Sequence, residues 1–342
     1  MKCRAISLAA SCAVVLSACG GGGGNGGSPP LPVSTNPTLP VVTSPPVTPE
    51  QDLQTSVPTP TYAANSEELA FFNAYNEFRS QAGLGKLAQS AKLDLAAKNH
   101  LNYQAQNPDL DLFATDPATG RAVFHIESPG RPGFTGVQEV DRAKFVQYAG
   151  PYVGETGSFG LGKGASKAFG DLLATVYHRA AFMYQSPRDI GIVVGTDKNQ
   201  TVIVEFGYEA KKQFNASNYV GSYPADKQTG VRLVSATELP NPFADITLAE
   251  YAIKTSYPVN VVTAEGTTLA VTSFTITESG QATSLDARLI TKANDPNKYV
   301  ASNYAFLVGK APFKPNTTYN VVFSGTVNGV ALNKSWSFTT GI

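Results

Sequence analysis

The chain has 342 residues, 26 basic and 26 acidic, hence no net formal charge, and 42% of its residues are hydrophobic. This balance, without any basic run interleaved with aromatics, argues against nucleic-acid binding. The length is ample for burying a sizeable core, and cysteine is scarce, with only Cys3, Cys12 and Cys19 in the whole chain.

In chain order, the first segment reads as an export signal. Lys2 and Arg4 make a basic n-region, and Ile6 to Leu16 is an apolar stretch too short to span a bilayer. It ends Leu16-Ser17-Ala18-Cys19-Gly20, which resembles the lipobox of bacterial lipoproteins. The resemblance implies that residues 1–19 are a lipoprotein signal-peptide segment, with cleavage before Cys19, which removes residues 1–18, and lipidation of the Cys19 sulfur. Several acyl chains would then hold the protein to a membrane where one chain would not. Gly20 in place of an aspartate favours the outer membrane, so the expected location is the cell envelope, at the outer membrane or cell surface. Removing Lys2 and Arg4 with the signal leaves 24 basic against 26 acidic residues, a net charge of −2. Cys3 and Cys12 go too, so the mature protein can form no internal disulfide and must be held by burial.

Residues 20–63 are first almost pure glycine and then rich in Pro, Thr, Val and Ser. Such a segment has too little apolar surface to offset its ordering entropy, and it is expected to be a flexible linker. A first domain is expected over residues 64–214. Asn65 and Glu68 form an N-cap pair ahead of Leu69, Phe72, Asn76 and Arg79 at helical spacing, and Gly83 stops that helix. A second helix is predicted from about Ser90 to Gln106, with Leu93, Ala97, His100 and Gln104 on one stripe. A short one follows near Asp141 to Tyr148, and a long one covers about Ser166 to Tyr184. Ile190 to Gly195 and Thr201 to Gly207 read as two strands of a hairpin through Lys198-Asn199.

A second domain is expected over residues 215–342, where helical periods vanish. Its β-type runs are Val259 to Val262, Leu269 to Thr277, Ala305 to Val308, Tyr319 to Val327 and Ala331 to Phe338. Val327-Asn328-Gly329-Val330 is a two-residue hairpin signal, because Asn-Gly suits a type I′ turn. Phe313 to Tyr319 resembles the tyrosine corner of immunoglobulin-like sandwiches, with Val321 where a disulfide cysteine would stand. Nothing in this half points to catalysis.

All three histidines, His100, His125 and His178, lie in the first domain, and histidine is both the side chain that titrates near neutrality and the commonest metal ligand. Five strings around them resemble the CAP superfamily, named from cysteine-rich secretory proteins, antigen 5 and plant pathogenesis-related 1. They are Asn76-x-x-Arg79-x-x-x-Gly83-Leu84-x-x-Leu87; Leu95-Ala96-Ala97-x-x-His100-x-x-Tyr103; His125 ahead of Gly133-Phe134-Thr135-Gly136 and Arg142; Tyr152-Val153-Gly154-Glu155; and His178-Arg179 before Ile190-Gly191-Ile192.

The resemblance implies an α+β chain, an α-β-α sandwich followed by the all-β, Ig-like sandwich. It also implies a cleft in which His125, Glu155 and His178 match the family's set, with His125 and His178 able to hold a divalent cation, Zn²⁺ or Mg²⁺. Two neutral imidazoles and a carboxylate would leave room for water on such an ion. The family's Gly-Glu-Asn is Gly-Glu-Thr here, with Thr156 replacing the amide, and a second cleft glutamate has no match. Asp171, two helical turns before His178, and Glu127 are the candidates. His100, on the apolar stripe of its helix, reads as a buried histidine bonded to backbone.

Other signals fail. Gly157 to Gly164 approaches a phosphate loop but carries Gly164 where a Ser or Thr would hold Mg²⁺, and no buried strand is read before it. The sequence lacks a Gly-x-Ser-x-Gly elbow and a His-Glu-x-x-His pair. The glycines after Glu155 read as a flexible rim. The expected function is binding of a small apolar or glycan-like ligand rather than catalysis. The alternatives are a metal-dependent hydrolase with Glu155 as base, and a structural or adhesive envelope module with the β domain as spacer.

Overall fold

The computed structural model describes residues 50–342 apart from Lys198. The signal peptide, Cys19 and the linker up to residue 49 lie outside the described residues. Residues 50–342 belong to one compact unit, and among the described residues no helix is long and apolar enough to cross a membrane.

The first half contains α1 (Glu67–Gln81), β1 (Ala88–Gln89), α2 (Ala91–Gln106), α3 (Glu139–Phe145), β2 (Tyr152–Phe159), α4 (Gly164–Leu173), α5 (Tyr177–Phe182), β3 (Asp189–Val194) and β4 (Thr201–Tyr208). The strands form one sheet in the order β1-β3-β4-β2, with β1 parallel to β3 and the other pairs antiparallel. Alternation along β4 builds three layers. Val202, Val204 and Phe206 face the core of α1, α4 and α5, while Ile203 packs with Ala97 of α2 and with Phe124. This is the expected α-β-α arrangement. Gly191 permits it, because a Cβ there would lie 2.1 Å from the Leu93 carbonyl carbon of α2.

The sequence motif at α1 is structural. Asn76 bonds both the N–H and the carbonyl of Leu87. Fully buried Arg79 donates to the carbonyls of Gly85, Phe182 and Tyr184. Together they pin the loop after α1 to the end of α5.

Four expectations need correction. The N-cap of α1 is Ser66, whose hydroxyl accepts from Leu69 N–H, while Asn65 adopts a left-handed φ of 62°. Of the glycines after Glu155, Gly157 lies within strand β2 rather than in a rim, while Gly160 and Gly162 lie in the turn between β2 and α4. Gly157 is required there because a Cβ would sit 2.3 Å from the Phe124 ring. The linker ends earlier than residue 63: Asp52 pairs with Phe214, Gln54 donates to the Lys86 and Arg188 carbonyls, and Tyr62 packs edge-on against Phe72 and donates to Asp94. The long helix is two. Thr175 turns its hydroxyl back onto the Leu172 carbonyl, Arg179 takes the Leu173 carbonyl and Ala236 N–H takes that of Ala174. Those bonds satisfy the end of α4 and let α5 start in a new direction.

The second half holds β5 (Val220–Tyr223), β6 (Gln228–Val231), α6 (Tyr251–Lys254), β7 (Val259–Thr263), β8 (Leu269–Glu278), β9 (Ala287–Thr291), β10 (Tyr304–Gly309), β11 (Thr318–Val327) and β12 (Val330–Thr340). It forms two four-stranded sheets, β5-β7-β10-β9 and β6-β12-β11-β8, and all strand pairs are antiparallel except β6 with β12. Strands β5, β6 and β9 were not legible as β-type runs. The β11–β12 turn has Asn328 and Gly329 at φ 50° and 83°, the signs a type I′ turn needs. The Tyr319 hydroxyl accepts from Lys314 N–H at 2.9 Å, the corner bond that fixes the entry to β11.

The two halves share one continuous core, running from Phe71 and Phe182 through Tyr223 and Tyr257 to Phe306 and Phe338. Arg179 is buried at the seam, its guanidinium 4.4 Å from the Tyr257 ring and 5.0 Å from that of Tyr223, and it donates to the Pro258 carbonyl. Each large apolar side chain buried this way contributes about 1.5–3 kcal/mol. The described residues contain no cysteine, so burial carries the stability.

Candidate functional site

His100, in α2, is fully buried. Its Nδ1 lies 3.0 Å from Glu127 and its Nε2 2.7 Å from the Phe124 carbonyl. Glu127 is itself completely buried and accepts from the N–H groups of Thr135 and Gly136. The pair clamps the loop before α3, and Glu127 is not a cleft carboxylate.

His125 ends a 3₁₀ turn, and its Nδ1 is 2.7 Å from Glu155 of β2. The other oxygen of Glu155 accepts from Arg142 of α3 at 2.5 Å, and Arg142 also donates to the His125 carbonyl. Behind them stands Glu205 of β4, paired with Glu155 across the strands and 3.7 Å from Arg142 Nε. Glu155, Arg142 and Glu205 are all closed to solvent. Both Glu205 oxygens, the Arg142 Nε and the Thr156 hydroxyl lack a hydrogen-bond partner among the described residues.

The electrostatics follow from this burial. Desolvation works against charge on Glu155, but Arg142 and then the neighbouring histidines hold its carboxyl well below the usual range. For Glu205, burial and the Glu155 charge act together and push it well above that range. Arg142 resists desolvation because Glu155, Glu205 and Glu127 surround it. Burial lowers His125, partly offset by Glu155, so the neutral imidazole is favoured. With Glu155 ionised, the proton sits on Nδ1 and Nε2 presents a lone pair.

His178, in the first turn of α5, has its Nδ1 3.2 Å from Glu238, a residue of the second half. The Glu238 carboxylate also accepts from the N–H groups of Val176 and Tyr177 and so caps α5. Asp171, the expected carboxylate partner, instead bridges Lys167 and Arg232.

His125, His178, Asp171 and Glu238 line one groove of about 600 Å³. Its walls include Phe113, Phe124, Phe159 and Leu161 from the first half, and Val234, Leu239 and Leu248 from the second. Among the described residues neither histidine Nε2 has a hydrogen-bond partner. Glu155 and Glu127 do not line the groove; the position of Glu155 is behind His125. A buried carboxylate held by an arginine and a histidine is a poor general base, which removes the step a hydrolase would need from it. Among the described residues no three His, Cys, Asp or Glu side chains are grouped to hold a metal ion. His125 and His178 bring two imidazole donors to the groove, one fewer than the three protein ligands of catalytic zinc sites.

Sequence reasoning missed Glu205 and Glu238. Glu205 had a signal, a lone carboxylate inside the apolar run Val202 to Phe206. Glu238 had none, since Thr237-Glu238-Leu239-Pro240 carries no motif and lies 60 residues from His178.

Three layers around a four-stranded sheet, with carboxylate-backed histidines at its edge, define the class as an α-β-α domain of the CAP kind. The model of the Cysteine-rich secretory protein family, CAP, matches residues 72–208, and that part of the chain is a CAP domain. Among solved structures the chain is similar to an extracellular protein containing an SCP domain from Bacillus anthracis, at 17% identity over 41% of this chain and 40% of that one, with a TM-score of 0.30. It is also similar to an outer surface protein from Borrelia burgdorferi, at 15% identity over 43% of this chain and 96% of that one, with a TM-score of 0.33. The match thus spans less than half the length of the Bacillus protein. No curated protein matches this chain.

Proposed function

We propose that this is an envelope-held binding protein whose groove takes a small, uncharged molecule with an apolar body and a hydrogen-bond donor such as a hydroxyl. One observation carries the reading: an apolar-walled groove of about 600 Å³ holds two imidazoles, each with its Nδ1 against a buried carboxylate. The volume and the few convergent polar groups are those of a small-molecule site. Lys167 and Arg232 are both paired with Asp171 at the wall, and the Nε2 lone pairs are among the polar groups left for a ligand to meet. An apolar lipid or a glycan face would both supply hydroxyl donors to them.

The location rests on the sequence, through the export signal and the lipidation of Cys19 that the lipobox implies. The second half is an Ig-type sandwich in this reading. Taken in chain order as A, A′, B, C, D, E, F and G, its strands group as A-B-E-D and A′-G-F-C, and the tyrosine corner stands at the entry to F. It serves as a wall of the groove rather than as a spacer.

The test is a fluorescence titration with N-phenylnaphthylamine, a neutral apolar probe bearing one N–H donor. The wild type should bind it with a blue shift, and the His125→Ala/His178→Ala variant should bind about tenfold more weakly. Equal affinities would sink the assignment of this groove.

A further inference from the structure

We infer that Glu238 is the positioning residue of His178, supplied from outside the CAP domain, so that the groove is assembled only when both halves of the chain are folded together. This rests on the groove being the binding site for its purpose, but its geometry stands independently.

The Glu238 side chain is 1% exposed and all its visible bonds are to the first half. One oxygen accepts from Val176 N–H at 2.7 Å, and the other from Tyr177 N–H at 3.0 Å and from His178 Nδ1 at 3.2 Å. A carboxylate can only accept, so it dictates that Nδ1 bears the proton and that Nε2 is the lone-pair side. The Thr175 hydroxyl, 3.3 Å from the same Nδ1, gives its own proton to the Leu172 carbonyl and therefore also faces the ring as an acceptor. His125 receives the same treatment from Glu155, inside the CAP domain. The two imidazoles are thus matched, one by a residue of its own domain and one by a residue 60 positions further on.

The segment carrying Glu238 is tied to both halves. Arg232 reaches Asp171 at 2.6 Å and Ala236 N–H reaches the Ala174 carbonyl at 3.0 Å on the CAP side, while the Ser235 hydroxyl donates to the Ser256 carbonyl on the other. Glu238 is therefore held where it is by the packing of the second half and not by α5 alone.

The test reads the tautomer. The chain has only three histidines, so long-range proton–nitrogen spectra of histidine-labelled protein give three imidazole patterns, and His178→Asn assigns one of them. In the wild type His178 should be the Nδ1–H tautomer. In Glu238→Gln one of those two oxygens becomes an NH₂ that cannot accept; with the remaining oxygen on Val176 N–H the NH₂ meets the ring, and the Nε2–H form of His178 should appear. The His100 and His125 patterns should stay as they are and report an intact fold. Glu238→Asp keeps a carboxylate and should keep Nδ1–H. An Nε2–H His178 in the wild type, or an unchanged Nδ1–H in a folded Glu238→Gln, overturns the inference. If Glu238→Gln does not fold, the wild-type and Glu238→Asp spectra decide, and Nε2–H in either is the overturning result. N-phenylnaphthylamine should bind Glu238→Gln about five- to tenfold more weakly. Absence of probe binding to the wild type would refute the ligand reading and leave the tautomer result untouched.

Discussion

Glu155 and Glu205 stand opposite one another on β2 and β4 with a single guanidinium, that of Arg142, between them. One cation cannot neutralise two desolvated carboxylates, so the pair divides. Glu155 takes the short bond to Arg142 and stays ionised, and Glu205 keeps its proton.

This division sets a pH dependence with two opposite limbs. Glu155 is depressed below its ordinary 4.5, so its stabilisation is present above that value and is lost as pH falls. Glu205 is raised, so its contribution is complete below pH 4.5, where the unfolded chain is protonated too, and is lost as pH rises towards its folded value. Glu205→Gln, which mimics the protonated acid, should match the wild type in acid and exceed it at pH 8 by on the order of 1–3 kcal/mol. Thermal unfolding across pH 4–8 checks this, and a Tm difference independent of pH would contradict the assignment.

Tyr62 ties the segment before α1 to the domain through the Phe72 ring and Asp94. A chain that starts at residue 64 also loses the Asp52–Phe214 pairing and the Gln54 bonds. Its stability should fall by about 2–4 kcal/mol relative to one starting at residue 48, as read by urea unfolding. Identical midpoints would mean that residues 50–63 contribute nothing to the fold.

A chain ending at residue 214 should not fold cooperatively. It would leave the N–H groups of Val176, Tyr177, Gln185 and Ser186 without Glu238 and Glu265, and Arg179 without Tyr257 and the Pro258 carbonyl. Truncation also uncovers the apolar core the two halves share, at about 25 cal/mol per Å² of apolar surface, and the total reaches the whole stability of a domain. Dispersed amide spectra from that fragment would show the halves to be independent.

With two imidazole donors and no group of three metal-ligating side chains among the described residues, Zn²⁺ should bind more weakly than the micromolar range, and His125→Ala should abolish any residual heat in calorimetry. A tight stoichiometric isotherm in the wild type would mean that a further ligand reaches the groove.

Wherever the deciding interactions are local, the sequence alone sufficed. Ser90 caps α2, Asn328-Gly329 turns β11 into β12, and Tyr319 reaches back five residues to Lys314. Asn76 and Arg79 announced the CAP domain because they tie α1 to the loop just behind it. Tertiary structure decided what depends on distant partners. The helix expected over Ser166 to Tyr184 breaks because Ala236, Glu238 and Arg179 take over its backbone groups at the break. The carboxylate that meets His178 is Glu238 rather than Asp171 or Glu127 for the same reason. Helical spacing can place a residue on a face, but only the packing of the second half determines which acceptor meets His178, and Arg232 has already claimed Asp171. Hydrophobic periodicity is written in the chain one turn at a time, whereas the pairing of buried charges is settled only when the halves close on each other and water is excluded.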